Sequence, residues 1–398
     1  MADSERVRRE AWKYVVGIAL VAFLVYAALP PSVDPVGERA GDPIVELPSE
    51  EPVHHLLLIG DTGKPDARGE PILRVLRQRA LRLGEQSTTV FLGDNLYQYG
   101  LPAPSDPSYP EARRRIVQQL DSLQGYTGRL RFIPGNHDWG HGVPGGSTRA
   151  KRQAALVDST FPGAFPVRPE APPIHIDTLA QDVVLVSLDT AWWLYEDARP
   201  SPERRDSMIA FSSAFATVMQ ALSDQTVVVA THHPMVTNGP HGGHFPLRSH
   251  VYPLTEVEPW AYVPLPLLGS LALAWYNLWG QTIQDLGHPR YRALADVMLP
   301  PTQRHARTIY ATGHEHALQH FDRLGDEGTH YVVSGSGCAA KQDAVTNGNG
   351  LAWGTGQTGI AHVRFYSDGS AWLDFVTPVS GQGEMTATGV VRYRTRLF

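Results

Sequence analysis

The stretch HLLLIGDTG, from His55 to Gly63, is a short apolar run followed directly by a turn that contains an acid. Consecutive large apolar residues without polar alternation are typical of a strand that is buried on both faces. Similar apolar runs, most of them ending at a glycine, recur along the chain. The predicted strands are His55–Gly60, Thr89–Gly93, Leu130–Gly135, Val183–Leu188, Thr226–Thr231, Thr308–Gly313 and His330–Gly335.

Amphipathic stretches lie between several of these strands and predict helices. The C-terminal part differs, because Ile360–Val376 has the pattern of a hairpin that turns at Asp368-Gly369, and Val390–Phe398 that of a last strand. Strands that alternate with helices, with antiparallel strands added, predict the α/β class. The predicted helices are Pro71–Leu83, Glu111–Leu123, Pro202–Leu222 and His288–Met298.

Polar side chains follow five of the predicted strands, at the point where each strand ends. Open α/β sheets bind their ligands at the carboxyl ends of the strands, so these side chains are candidate site residues. One acid in a Gly-Asp turn is usually only a cap or turn former, but five such motifs in succession indicate a shared site. The candidates are Asp61, Asp94, Tyr97, Asn136, His137, His232, His314 and His316.

The residue types in this set indicate a metal site. Cys338 is the only cysteine, which excludes a thiolate cluster and an intrachain disulfide. Carboxylate, phenolate, amide and imidazole groups suit iron, manganese or zinc. With one shared carboxylate, such a set could hold two metal ions, which bind phosphoryl oxygens and activate a water molecule.

These motifs resemble those of the calcineurin-like metallophosphoesterases, and among them the purple acid phosphatase branch. The resemblance covers roughly Leu57 to Gly337 and includes all five motifs of that branch. It implies a four-layer α/β/β/α sandwich of two mixed sheets. The motifs are GDTG at 60–63, GDNLY at 93–97, GNHD at 135–138, VATH at 229–232 and GHEH at 313–316.

The resemblance also implies a role for each candidate. Asp94 would bridge two metal ions, and Tyr97 would be a tyrosinate ligand to Fe(III). The first metal site would consist of Asp61, Asp94, Tyr97 and His316. The second site would hold Fe(II), Zn or Mn, and His137 would lie near the phosphate as an orienting group or proton donor. The ligands of the second site would be Asp94, Asn136, His232 and His314.

The loop after the fourth motif departs from the family pattern. Small members of the family have a histidine there as a candidate proton donor, and the matching position in this chain is Asn238. His241 or His244 could replace that histidine as a catalytic residue. The alternative is that both are solvated loop histidines.

The N-terminal part has the pattern of a membrane anchor. Ala11–Leu29 is apolar except for Lys13, and at about 1.5 Å per residue it is roughly 28 Å long as a helix. Basic residues precede it and acidic residues follow, so residues 1–10 would be a cytoplasmic tail. The linker 30–52 and the catalytic domain 53–398 would lie in a bacterial periplasm or at the cell surface. A cleavable signal peptide is the alternative.

The predicted domain contains an apolar insert at about 239–286. Its proline-free part, Leu267–Trp279, is too short to span a bilayer. The apolar, aromatic segment 262–279 is typical of an element that lies on a membrane surface. A core-packed insert, a lid or a dimer face are the alternatives.

These observations together predict a membrane-anchored phosphoesterase that cleaves phosphate monoesters by attack of a metal-bound hydroxide on a small phosphorylated substrate. A net charge of −6 without a basic run gives no indication of nucleic-acid binding. One alternative is a lipid-phosphate or phosphodiester hydrolase that acts at the membrane surface. Another is a catalytically inactive metal-binding or sensor domain.

Overall fold

The computed structural model describes most of the chain after residue 36. The predicted anchor, Ala11–Leu29, lies outside the described residues. Within the described ranges, no helix combines the length and the hydropathy needed to cross a membrane. The described residues are 37–40, 44–67, 69–167, 173–195, 202–256, 261–322, 324, 328–338, 340, 342–348, 350–379 and 389–398.

The described strands form two mixed sheets. One sheet has the order β1-β11-β9-β10-β8-β7-β6-β5, and the other has the order β14-β13-β12-β2-β3-β4. The strands are β1 Arg39–Ala40, β2 His54–Ile59, β3 Ser87–Phe91, β4 Arg129–Phe132, β5 Ile174–Ala180, β6 Val183–Leu188, β7 Thr226–Ala230, β8 Thr308–Thr312, β9 Leu318–Asp322, β10 Thr329–Ser334, β11 Leu351–Thr355, β12 Ile360–Phe365, β13 Ala371–Pro378 and β14 Gly389–Arg396.

The α-helices of the described part pack on the sheets or belong to the insert. They are α1 Pro71–Leu83, α2 Tyr109–Ser122, α3 Gly146–Thr160, α4 Thr190–Tyr195, α5 Pro202–Ala221, α6 Leu247–Val251, α7 Pro266–Trp275 and α8 Pro289–Gln303.

Three apolar clusters explain the layer order. In β2, Leu56 and Leu58 point into a cluster between the two sheets. Leu57 and Ile59 point the other way, into a cluster with residues of α1, α2 and α3. A third cluster joins β6 and β7 to α4, α5 and α8. Because β2, β6 and β7 are covered on both faces, their sequences are mostly apolar. The α/β prediction with two mixed sheets is confirmed.

Parallel pairing sets the position of the site. β2, β3 and β4 run parallel to one another, so their carboxyl ends lie along one edge of the smaller sheet. In the larger sheet the parallel strands are β6, β7, β8 and β10, and their carboxyl ends also lie along one edge. The turns that follow these strands carry the five motifs.

Several elements differ from the sequence-based predictions. Most predicted strands differ from the observed ones by one to three residues at one or both ends, whereas β6 and α1 have the predicted bounds. α3 was not predicted, because its buried face contains Ala150, Gln153, Ala154 and Val157, and small or polar residues conceal the helical period. α8 continues past Pro300 and Pro301, where a helix is normally expected to end.

Phe245–Gly280 forms a compact unit separate from the rest of the described chain. It contains α6 and α7, followed by a π-helical turn at Tyr276–Gly280. A Cβ on Gly269 would lie 2.3 Å from the backbone oxygen of His250. The absence of a side chain at Gly269 therefore allows α7 to pack closely against α6.

Buried histidines are a feature of the sheets themselves. His320 on β9 lies 3.1 Å from both the Tyr393 hydroxyl and His330 Nδ1. Burial, followed by the charge of His330, lowers the pKa of His320 to about 3. Burial is also the main cause that lowers the pKa values of His54 and His55 to about 4. The folded protein therefore keeps these rings neutral in weak acid.

We expect the free energy of unfolding to fall as the pH decreases from 6.5 towards 4. In this range an unfolded histidine binds a proton that the folded protein excludes, so each such histidine destabilises the fold by up to about 1.4 kcal/mol per pH unit. Urea unfolding of His320→Gln should show a shallower pH slope than that of the unsubstituted protein. Equal slopes would contradict the assignment of His320 as a neutral buried group.

Candidate metal centre

The motif glycines bring the strand ends of the two sheets into contact. The amide of Gly60 donates to Ser334 O at 2.7 Å, and that of Gly313 donates to His232 O at 3.1 Å. A Cβ on Gly60 would lie only 2.9 Å from Gly313 Cα. Residues with side chains at these positions would push the strand ends apart. The acids and histidines that follow these strands therefore face one another.

The first group of candidate ligands lies after β2, β3 and β8. The Tyr97 hydroxyl is 2.9 Å from Asp61 Oδ1 and 3.1 Å from His316 Nε2. His316 Nε2 is 3.6 Å from Asp61 Oδ1. These three donor atoms form a small triangle whose residues are all largely buried.

The second group lies after β4, β7 and β8. Asn136 Oδ1 is 2.9 Å from His232 Nε2 and 3.1 Å from His314 Nδ1, and the two ring nitrogens are 3.2 Å apart. Asp94 Oδ1 lies 3.4 Å from His232 Nε2. One ligand atom from each of Asp61, Asp94 and His232 fits within 4.8 Å of the others. Asp94 thus connects the two groups.

Outward hydrogen bonds fix how the three histidines present their rings. His232 Nδ1 donates to Leu92 O at 2.8 Å, and His314 Nε2 donates to Gln284 O at 2.9 Å. His316 Nδ1 donates to the Asp343 carboxylate at 2.9 Å. In a neutral imidazole the opposite nitrogen then carries a lone pair, and in all three rings that nitrogen faces the centre.

The converging donors fit a pair of metal ions. At bond lengths of about 2.0–2.2 Å, neighbouring ligand atoms of one ion lie roughly 3–3.5 Å apart, which matches both triangles. Oxygen and imidazole nitrogen donors suit iron, manganese and zinc. The residues that would hold the ions are Asp61, Asp94, Tyr97, Asn136, His232, His314 and His316.

The electrostatics of the centre also favour a bound cation. Burial raises the pKa of Asp61 to about 6. Burial disfavours a charged His232, but the Asp94 carboxylate outweighs this and raises the pKa of His232 to about 9. Without a cation, a proton on His232 therefore offsets part of the negative charge. Burial and the carboxylates of Asp61 and Asp94 raise the pKa of Tyr97 well above its usual value, so a tyrosinate requires a strongly Lewis-acidic ion.

Three candidate ligands have backbone conformations that are rare for residues with side chains. Asp61, Asp94 and His314 have φ values of 61°, 49° and 70°. Such conformations cost on the order of 1–3 kcal/mol each and persist where surrounding bonds fix them. Here Asp61 Oδ2 accepts from the amide of His314, and Asp94 Oδ1 accepts from the amide of His137, both at 2.8 Å.

Asp138, the last residue of the GNHD motif, holds two of the turns together. Its carboxylate accepts from the amides of Asn95, Leu96 and Gly135 at 2.8–3.2 Å. Burial, with the charge of Asp94, raises the pKa of Asp138 to about 7. We assign Asp138 a structural role, because its oxygens are occupied by backbone donors.

The candidate proton donors have different surroundings. His137 donates from Nδ1 to Gln98 O at 2.7 Å, and its Nε2 lies 3.7 Å from Asp94 Oδ2. The ring of His241 stacks at 4.3 Å on that of His314, and its Nδ1 is 3.0 Å from Asp285 Oδ1. His244 is exposed instead.

His244 and Asn238 line a cavity of about 290 Å³ beside the loop that follows the fourth motif. Asn238 is 2% exposed, and its backbone amide donates to Gln319 Oε1 at 2.8 Å. Of the two loop histidines, His241 is thus the one that contacts a candidate metal ligand.

Several residues that support this centre could not be predicted from the sequence. His141 stacks on His137 at 4.6 Å. The backbone oxygen of Gln284 accepts from His314 Nε2, as described above. The side chain of Gln284 also contacts the centre, because its Oε1 lies 3.4 Å from Asn136 Nδ2 and its Nε2 lies 3.0 Å from His141 Nε2. Asp343 and Gln284 belong to loops without a motif, so no local pattern marked them.

We predict that Asp343→Asn weakens metal binding by about 10- to 100-fold. The native carboxylate orients the His316 ring and increases its basicity, and the substitution removes both effects. Titration of the metal-free protein with zinc, in competition with a chromophoric chelator, measures this affinity. Asp182→Asn, in an exposed turn, is the matched control and should bind as the unsubstituted protein does. Equal affinities for both variants would show that Asp343 does not act through His316.

Comparisons with known proteins bear on the fold. No protein-family model and no curated protein matches the chain. Among solved structures, PhoD is similar with a TM-score of 0.56 at 10% identity, over 88% of this chain and 70% of PhoD. GAP50, the anchor in the inner membrane complex of Plasmodium, has a TM-score of 0.52 at 14% identity, over 86% and 88% of the two chains.

A third solved structure is the purple acid phosphatase PPD1 from yellow lupin seeds. It has a TM-score of 0.49 at 15% identity, over 88% of this chain and 54% of PPD1. At such identities a structural likeness establishes architecture, so function has to be argued from the site itself. The similarity to PhoD and GAP50 agrees with the five motifs, and this chain has a metallophosphoesterase-like fold.

Proposed function

We propose that this chain is a metal-dependent phosphoesterase that hydrolyses phosphate monoesters. The main support for this proposal is the pair of donor triangles that Asp94 connects. The outer ring nitrogens of His232, His314 and His316 donate to fixed acceptors, so the inner nitrogens face the centre. A purely structural metal site would not need two groups of donors that share one carboxylate.

Bound at this centre, two cations would neutralise phosphoryl oxygens and supply a water molecule of lowered pKa. The chain's own residues would orient the substrate. Nδ1 of His137 donates to Gln98 O, and the ring lies beside Asp94. With both ring nitrogens protonated, His137 would donate a hydrogen bond from Nε2 to a phosphoryl oxygen. The His141 ring, stacked on that of His137, would keep it in place.

His241 is the proposed proton donor to the leaving alcohol. Asp285 accepts from its Nδ1 and fixes the ring against His314, so that Nε2 is the atom left to hold the transferred proton. Asp285 is itself fixed, because its other oxygen accepts from the amide and the hydroxyl of Thr282 at 2.6 and 2.9 Å. Delivery of a proton to the departing oxygen prevents an alkoxide from forming.

The finer assignments are also proposals. Tyr97 supports Fe(III) in the first site, with Fe(II), Zn or Mn in the second. The apolar run Ala11–Leu29, preceded by basic residues, supports an N-terminal membrane anchor. The catalytic domain would then lie outside the cytoplasm, in a bacterial periplasm or at the cell surface.

A second candidate function is hydrolysis of phosphate esters carried by lipids. The exposed leucines and tryptophans of α7 and the turn after it favour this candidate. Turnover of phosphatidic acid in vesicles without turnover of soluble monoesters would favour it over the first proposal.

We expect the metal-loaded protein to show a visible tyrosinate-to-iron charge-transfer band that is absent from Tyr97→Phe. Absorption spectra, recorded together with the metal content, test this. Tyr99→Phe, at a half-exposed tyrosine two residues later, is the matched control and should keep the band. A colourless protein with two zinc or manganese ions would retain hydrolysis but contradict the assignment of iron.

We expect His241→Gln to reduce kcat by about 10²-fold or more for alkyl phosphates, whose poor leaving groups need a proton. The loss should be much smaller for p-nitrophenyl phosphate, because nitrophenolate departs without protonation. His244→Gln is the matched control and should change neither rate appreciably. An equal loss on both substrates would contradict proton donation by His241, and no turnover by the metal-loaded parent would contradict the proposed function.

A further inference from the structure

The helix α7 and the π-helical turn after it carry a continuous apolar surface, here called the α7 face. Each of its side chains is between 59% and 79% exposed. Ideal helical geometry places these positions within about 120° around the axis, so they lie on one side. The α7 face consists of Leu267, Leu268, Leu271, Trp275, Leu278 and Trp279.

The opposite side of α7 provides its attachment within the insert. Gly269 lies against the backbone of His250, and Leu273 is only 8% exposed. These two positions, four residues apart, form a narrow buried stripe. An ordinary surface helix packs its broad apolar side against the protein. In α7, by contrast, only a narrow side is packed and the broad apolar side is uncovered. An exposed apolar patch of this kind usually marks an interaction site.

The composition of the segment suits a lipid surface. The chain has no charged residue from Ala261 to Gly280, so covering it with lipid requires the desolvation of no charge. Trp275 and Trp279 lie at one end of the face, and tryptophan side chains favour the boundary between lipid and water. α7 is 10 residues long, which allows it to lie on a bilayer but not to cross one.

The sequence also contains a segment with the pattern of a bilayer-spanning anchor. Ala11–Leu29 has the length and hydropathy expected of an anchor. Because Arg39–Ala40 already pairs with β11, only the stretch from Pro30 to Glu38 can act as a tether. At ~3.3 Å per residue it can extend by at most about 30 Å, so the anchored domain stays close to the membrane. Such a tether turns docking into an intramolecular event, for which weak interfacial affinity suffices.

We infer that the α7 face docks onto a lipid bilayer, with its leucines among the upper acyl chains and its tryptophans at the boundary with the headgroups. The inference depends on the anchor at Ala11–Leu29 but not on the proposed hydrolysis. It assigns the insert a binding surface in addition to the metal centre.

The test uses the full chain reconstituted in phosphatidylcholine–phosphatidylglycerol vesicles, with a nitroxide spin label at Leu271→Cys. The native Cys338 is buried, which protects it from labelling. Ile209→Cys on α5 is the matched control, since Ile209 is a similarly exposed apolar residue at 58%. The measurement is the accessibility of each label to oxygen, which concentrates in lipid, and to a water-soluble nickel chelate.

Docking predicts that the label at position 271 becomes at least several-fold more accessible to oxygen than to nickel once vesicles are present, whereas the label at 209 stays accessible to nickel. Equal nickel accessibility at both positions would overturn the inference. So would shielding from both reagents with dipolar broadening between labels, which would assign the α7 face to a second copy of the chain. Hydrolysis is measured on the same samples, so that a failure of docking can be distinguished from a failure of the proposed function.

Discussion

Two buried carboxylates, those of Asp61 and Asp94, lie side by side where the strand ends of the two sheets meet. Asp61 and Asp94 are each 1% exposed, and one oxygen of each lies within 4.8 Å of the other. Burial of uncompensated negative charge is costly, so this arrangement needs positive charge close by. The inward nitrogens of three histidines and the Tyr97 hydroxyl surround the place where that charge would be. Three features hold these groups together: the parallel strand ends, the close approach of Gly60 and Gly313, and the hydrogen bonds to Asp138.

The candidate ligands could be predicted from the sequence because each follows an apolar run directly. Leu56–Ile59 is continuously apolar since the strand is covered on both faces, and Asp61 must then lie at its carboxyl end. The two-sheet arrangement came only from the family resemblance, because periodicity does not reveal which strands pair. Gln284 and Asp343 could not be predicted, since each lies in a loop whose path depends on the whole fold. The helix α3 was missed because its buried face has few large apolar residues.

The compact unit Phe245–Gly280 is flanked in the chain by residues that support the metal centre. His241 precedes this unit, and Gln284 and Asp285 follow it. The two ends are fastened together, because the amide of Leu286 donates to His241 O at 3.0 Å and Asp285 holds the His241 ring. A segment whose ends meet in this way can be long without a large entropic cost to the fold.

Anomalous X-ray diffraction from crystals of the metal-loaded protein, recorded at the iron and zinc absorption edges, would locate the metal ions directly. We expect two anomalous peaks roughly 3.5–4 Å apart, as in other two-metal sites, with Asp94 between them and iron at the peak beside Tyr97. A single peak, or two peaks away from Asp94, would contradict the shared carboxylate. No peak after loading with iron, zinc and manganese would contradict the metal centre itself.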